Sequence, residues 1–176
     1  MVNNVLLGAY ALIWLAVSVE MFWSELKMYL KDDSEKNEEV KRMADDSATE
    51  SKELMELIAG RFSPSILAFI MLVLPIILMA FDLGGFAVAA MVMHFTSALN
   101  IIYWIALAAT VVVYVKLIHE TAKITAEIAQ DEDPAYVERV TREVMADSPV
   151  VTPFSFTSAL GKVILAALAV MEVFFL

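Results

Sequence analysis

Long apolar runs alternate with charged segments along this chain. The longest run covers residues 86–115 and contains no Asp, Glu, Lys or Arg. A transmembrane helix needs about 20 consecutive apolar residues, so this run is long enough to cross a bilayer. Shorter apolar runs occupy residues 5–23, 65–81 and 154–176. The pattern predicts an all-α integral membrane protein with four transmembrane helices.

Proline and turn residues mark the predicted ends of these elements. Ser63-Pro64 and Thr152-Pro153 each place a capping residue before a proline at the first helical position. Asp133-Pro134 predicts the start of a further short helix. The sequence Asp82-Leu83-Gly84-Gly85 predicts a tight turn between the second and third spans. Pro75 predicts a kink within the second span.

The charged segments at residues 24–62 and 116–153 are predicted to be helical extensions outside the membrane. In the first of them, apolar residues recur at roughly helical spacing among Glu and Lys residues: Val40, Met43, Leu54, Leu57 and Ile58. Two interpretations remain open. The segment is either a solvated helical hairpin or a coiled-coil arm that docks a partner.

The basic residues predict the orientation of the four spans. All 12 Lys and Arg residues fall on one side if the spans are placed in a bilayer, with Lys162 in the first turns of the fourth span. The opposite side carries Asn3, Asn4 and Asp82. Under the positive-inside rule, the loops at residues 24–62 and 116–153 are therefore cytoplasmic and both termini are outside.

The two halves of the chain share one order of elements. In each half a span leads into a charged helix, and the next span begins with Ser-Pro or Thr-Pro. This order is consistent with two parallel two-span repeats, related by an axis along the membrane normal. The alternative is that two hairpins of similar length arose independently, since the halves share little residue identity.

Charge and cysteine content exclude several classes of function. The formal net charge is -10, and nucleic-acid binding is disfavoured because phosphate contacts need clustered Lys and Arg. The chain has no cysteine, which rules out disulfides, thiolate metal sites and a cysteine nucleophile. His119-Glu120 begins like the helix of a zinc protease, but Lys123 occupies the position of the second histidine. No catalytic, cofactor-binding or metal site is predicted.

Polar residues within the third predicted span form the main candidate site. On a helical wheel they share one broad face centred on Asn100, with His94 at its edge. This face either lines an aqueous path or holds packed helices together through hydrogen bonds. Its members are Thr96, Ser97, Asn100, Tyr103, Trp104, Thr110 and Tyr114.

His94 and Glu172 form a second candidate. His94 is predicted to lie about 12 Å from the outer end of the third span, at a rise of 1.5 Å per residue. Glu172 is predicted to lie at a similar depth in the fourth span. The pair is either a protonatable site or, together with Asp82, an ion site. The alternative is that His94 is a buried imidazole bonded to a hydroxyl or to Glu172. Glu172 is also close enough to the end of its span to lie at the interface.

The sequence favours a non-catalytic polytopic membrane subunit or scaffold. Such a protein would pack with partner membrane proteins through its spans and its cytoplasmic helices. The alternative is a homo-oligomeric ion or small-solute channel or transporter with a path along the Asn100 face. The expected partners are the lipid bilayer and other membrane-protein subunits or further copies of the chain, with no nucleic acid.

Overall fold

Six α-helices make up the computed structural model of the protein, which describes residues 2–58, 64–128, 133–147 and 152–175. Within those ranges there is no β-strand, so the predicted all-α fold is confirmed. The helices are α1 (Val2–Leu30), α2 (Asp33–Ile58), α3 (Pro64–Val92), α4 (Ser97–Ile128), α5 (Pro134–Asp147) and α6 (Pro153–Phe175).

Four segments of these helices are long and apolar enough to cross a membrane. They contain between 23 and 31 residues, more than the roughly 20 that a bilayer requires. The prediction of an all-helical chain with four helices of membrane-spanning length and composition is confirmed. The segments are Val5–Leu30, Ala68–Val92, Ser97–Glu127 and Pro153–Phe175.

Prolines begin three of the helices, as the sequence predicts. Helices α3, α5 and α6 start at Pro64, Pro134 and Pro153. At the start of α6, the Ser155 amide donates to the Thr152 hydroxyl and the Thr152 amide donates to the Ser155 hydroxyl. This reciprocal bonding satisfies two amides that a helix N-terminus otherwise leaves unpaired. The predicted cap at Ser63 lies outside the described residues.

The predicted turn at Asp82–Gly85 is wrong. Helix α3 continues through these four residues, and also across Pro75, to end at Val92. The chain turns instead over residues 93–96, within the longest charge-free run, and α4 begins at Ser97. The second span is therefore longer than residues 65–81, and the third span starts later than residue 86.

The chain forms two compact units, and each has its own core. The first unit comprises residues 2–30, 78–114 and 152–175 of the described chain. Its core contains Trp14, Phe86 and Leu165, and α1 packs against α6 along its length. These two helices are antiparallel, because the start of α1 contacts the end of α6 and the end of α1 contacts its start. Gly8 lies against Phe174, and the Ser155 hydroxyl donates to the Glu25 carboxylate.

Helix α4 is also antiparallel to α6 within the first unit. Ala106 lies beside Gly161, and one turn further along Thr110 bonds to Ser158. Phe86 of α3 packs against Tyr103 of α4, close to the turn that joins the two helices. The points at which the chain enters and leaves this unit, near residues 30, 78, 114 and 152, consequently lie at the same end of it.

The second unit comprises residues 31–58, 64–77, 115–128 and 133–147 of the described chain. Helices α2 and α5 pack together over small and apolar side chains that include Ala44, Ala48 and Val137. Two ion pairs join the helices, Arg142 with Asp45 and Lys52 with Glu138, and Glu138 also pairs with Arg142 within α5. Within the described residues, these charged segments contain α2 and α5, which pack together.

Candidate functional site

A buried ion pair lies at the centre of the first unit. The Lys162 ammonium of α6 donates to the Asp82 carboxylate of α3 at 2.7 Å. Only 1% of Lys162 and 2% of Asp82 is exposed. Charged side chains are rarely buried to this extent unless they are paired.

Two further donors complete the coordination of the Asp82 carboxylate. The Tyr114 hydroxyl of α4 donates to Oδ2 at 2.8 Å, on the same oxygen that accepts from Lys162. The Trp14 indole of α1 donates to Oδ1 at 2.9 Å. Each of the four helices of the first unit therefore contributes one side chain to this centre, which we call the Asp82 centre (Trp14, Asp82, Tyr114 and Lys162).

The ammonium group of Lys162 has two weaker neighbours. The Met21 sulfur lies 3.9 Å from Nζ, and the Tyr114 ring centroid lies 5.9 Å from it. A thioether is a weak acceptor, and an aromatic ring attracts a cation through its electron-rich face. The strong interaction of the lysine is thus the one with Asp82.

The Asp82 centre lies well inside helices of membrane-spanning length. Lys162 follows the first residue of α6 by nine positions, about 14 Å at 1.5 Å per residue. Asp82 precedes the last residue of α3 by ten positions, about 15 Å. An ionisable group at such a depth in a bilayer is costly, so the Asp82–Lys162 pair is a candidate functional site.

Two glycines of α3 explain how the indole reaches Asp82. A Cβ atom added at Gly85 would overlap the Trp14 ring, and one added at Gly84 would overlap the Tyr10 hydroxyl. The absence of side chains at both positions lets α1 approach α3 closely, as small residues do between packed membrane helices. Trp14 also packs edge to face on Phe86 at 5.2 Å, which fixes the ring beside the carboxylate.

A second polar pair lies one helical turn from the Asp82 centre. The Thr110 and Ser158 hydroxyls are 2.7 Å apart and both residues are buried. Thr110 precedes Tyr114 by four residues and Ser158 precedes Lys162 by four, so each hydroxyl shares a helix face with a member of the centre. This pair joins α4 to α6 by a hydrogen bond in an apolar environment.

The residues predicted as a polar face of one span are divided in the structure. His94 and Thr96 lie in the turn at residues 93–96, and the Leu99 amide donates to the Thr96 hydroxyl at 3.4 Å. Ser97 and Asn100 are exposed in the first turns of α4. Tyr103 packs against other aromatic rings of the first unit, Phe86, Phe95 and Trp104. Thr110 and Tyr114 alone are buried among these polar residues.

His94 does not have the depth that the sequence suggested. The side chain is 98% exposed, because the chain turns at residues 93–96 and removes His94 from the helix. Its Nδ1 lies 3.6 Å from the Glu172 carboxylate of α6. The structure brings these two residues together at the surface of the first unit, and separates both from Asp82.

Sequence reasoning missed the Asp82–Lys162 pair because it assigned the two residues to opposite sides of the membrane. A signal was present in the sequence. Asp82 is the sole charged residue between Arg61 and Lys116, and Lys162 is the sole basic residue of the last apolar run. Lone charges of opposite sign in separate spans are candidates for mutual pairing.

Among the described residues, no group of three His, Asp or Glu side chains is arranged to hold a metal ion. Comparison of the chain with protein-family models, curated proteins and solved structures finds no match. The fold and the site therefore define an all-helical protein with four helices of membrane-spanning character around a buried ion pair.

Proposed function

We propose that this protein is a non-catalytic membrane subunit or scaffold. The observation that carries the proposal is the Asp82 centre, where one carboxylate accepts hydrogen bonds from three other helices. Because these polar groups bind one another, the interior of the first unit is suited to holding four spans in one arrangement. The exposed surface is left for contact with lipid and with other proteins.

The proposal places the extra-membrane segments in the cytoplasm, with both termini outside. The 11 Lys and Arg residues other than the buried Lys162 lie in or beside residues 24–62 and 116–153, which favours this orientation. The common end at which the chain enters and leaves the first unit supports the placing of both segments on one side of the membrane. The proposed two parallel repeats are consistent with the similar starts of α3 and α6 at Pro64 and Pro153.

Purification at native expression level in a mild detergent tests the proposed role. A subunit or scaffold is expected to elute as an assembly larger than its own 19.5 kDa chain, with a partner in fixed stoichiometry. The detergent contribution is removed by light scattering with refractive-index detection. A lone monomer recovered from the native membrane under these conditions would overturn the proposal.

A homo-oligomeric channel or carrier is the second candidate. It is favoured by the exposure of Ser97 and Asn100 on a helix of membrane-spanning composition, because such polar groups need a partner or water when the surrounding lipid offers none. Flux into proteoliposomes containing wild type, Asn100→Leu or His94→Ala distinguishes the two roles. Equal flux in all three samples removes the channel hypothesis.

A further inference from the structure

Helix α2 has two different long faces. One face packs on α5 through Ala44, Ala48 and Met55, which are all buried. On a second face, Met43 is 36%, Leu54 is 44% and Leu57 is 67% exposed. Apolar side chains exposed in this way along one helix are a common feature of surfaces that bind another protein.

The second face follows a heptad spacing. Its six residues alternate at intervals of three and four along α2, which is the repeat that coiled-coil helices bury against a partner. We call them the α2 stripe. They are Val40, Met43, Ser47, Glu50, Leu54 and Leu57.

A groove lies along the N-terminal half of the α2 stripe. Its volume is about 230 Å3, and its walls include Val40, Met43 and Met145 of α5. Methionine side chains adapt readily to the shape of an inserted apolar group. The groove therefore gives an entering helix a place for at least one apolar side chain.

The charge beside the α2 stripe is acidic. Asp46 and Glu53 flank the stripe at equivalent heptad positions, and Glu50 lies within it. In the described part of the chain these three carboxylates form no ion pair, whereas the basic residues Arg42 and Lys52 are already paired with Glu39 and Glu138. Lys41 is the exposed lysine of this part of α2. With three free carboxylates beside it, the charge that an approaching partner meets is mainly negative.

This charge argues against two of the possible occupants. In a parallel pair of copies, Glu50 would face Glu50 in a buried layer, and in an antiparallel pair Asp46 would lie beside Glu53 of the other copy. Like charges brought together across an interface are unfavourable. An anionic lipid surface would repel the same carboxylates.

We propose that the α2 stripe binds an amphipathic helix of a partner protein that carries apolar residues at heptad spacing flanked by Lys or Arg. This inference rests on the proposed role as a membrane subunit and specifies the chemistry of the partner. Apolar contacts along the stripe supply the attraction, while the basic flanks pair with Asp46, Glu50 and Glu53 and select the partner.

Site-specific photocrosslinking in the full-length protein tests the proposed docking. A crosslinking amino acid replaces Met43 or Leu57 on the stripe, and Glu56, which is exposed on a different face of α2, serves as the matched control position. The captured segment is then identified by mass spectrometry. We expect the probes at Met43 and Leu57 to capture a helix with apolar residues at heptad spacing and flanking Lys or Arg. The probe at Glu56 should not capture it.

Three outcomes of this experiment would overturn the inference: capture of a second copy of α2, capture of a segment without basic flanks, and equal or absent capture at stripe and control positions.

Co-purification with a Leu54→Ser and Leu57→Ser double variant separates this inference from the proposed function. Partner recovery is expected to fall at least about tenfold, as for loss of a strong interface contact. Full recovery contradicts the docking site alone, whereas no partner with wild type contradicts both proposals.

Discussion

Asp82 combines a buried charge with complete hydrogen bonding. Its carboxylate faces one ammonium, one phenol and one indole, and each donor comes from a different helix. A buried ion pair gains little over an apolar pair of the same volume, because both charges lose their hydration. Removal of one partner is a different case, since it leaves an uncompensated charge in an apolar interior. The contribution of Asp82 to stability therefore depends on all three of its partners.

Loss of the ammonium alone is expected to be strongly destabilising. Lys162→Met should lower the free energy of unfolding by about 3–5 kcal/mol, because the Asp82 carboxylate stays buried without its cation. The double variant Asp82→Asn with Lys162→Met should recover most of that loss, since a neutral amide still bonds to Trp14 and Tyr114. Reversible unfolding in mixed micelles measures both values, with Lys41→Met at an exposed lysine as the control. A double variant as unstable as Lys162→Met would contradict this account.

Helix α3 shows why local sequence misled the assignment of one turn. Asp82-Leu83-Gly84-Gly85 has the composition of a turn, yet the helix continues through it. Tyr10 and Trp14 of α1 occupy the space that side chains at the two glycines would fill. The glycines serve close packing between helices, and that packing joins residues far apart in the sequence. The starts at Pro64, Pro134 and Pro153 were predictable, since caps and prolines act within a few residues.

A side chain at Gly85 is expected to separate α1 from α3. Gly85→Val should destabilise the first unit by about 1–3 kcal/mol, the usual cost of overpacking, because Trp14 must move away from Asp82. The measurement is again unfolding in mixed micelles, combined with the fluorescence of Trp14 in a variant in which the other two tryptophans are replaced by Phe. Ala87→Val, at an exposed position on the same helix, should change both readouts little. Unaltered stability in Gly85→Val would show that α1 does not approach α3 this closely.

The contact between α2 and α5 should weaken in acid. The hydrogen bond from the Lys52 ammonium lowers the pKa of Glu138 most, and the hydrogen bond from the Arg142 guanidinium lowers it further. Their interactions with Glu138 are therefore fully present above the ordinary pKa of a glutamate, and are lost as pH falls through the lowered value. Protection of α5 amides against hydrogen exchange, corrected for the intrinsic rate, should stay constant from neutral pH down to the ordinary glutamate pKa of about 4.3 and fall as the solution is acidified further.

Glu138→Gln provides the control for this pH dependence. The variant should show lower protection at neutral pH and a smaller change on acidification, because the titrating carboxylate is absent. Glu143→Gln, at an exposed position without an ion pair in the described residues, should retain the wild-type profile. An identical pH profile in Glu138→Gln and wild type would show that other groups cause the acid response.

Across the four apolar helices, the sequence predicts which segments are long enough to span a bilayer, but it does not predict which helices contact one another. Apolar length alone predicted four helices of membrane-spanning character, because the bilayer sets that length. The Asp82 centre was not predictable in this way, since its ion pair joins residues 80 positions apart in the sequence. Such a contact depends on which helices are neighbours, and neither periodicity nor composition specifies that for a four-span chain.

The position of the turn at residues 93–96 makes the predicted orientation directly testable. Because the chain has no cysteine, a single cysteine can replace Lys41, Arg139 or His94 in turn without further changes. A membrane-impermeant maleimide added to intact cells should label His94→Cys, which is in an exposed turn, and should label Lys41→Cys and Arg139→Cys only after permeabilisation. Ala89→Cys should resist the reagent in both conditions, because this position is fully buried. Labelling of Lys41→Cys and Arg139→Cys from opposite sides, or of all three sites from outside, would refute the four-span topology. Labelling of Lys41→Cys and Arg139→Cys from outside, with His94→Cys labelled only after permeabilisation, would refute only its orientation.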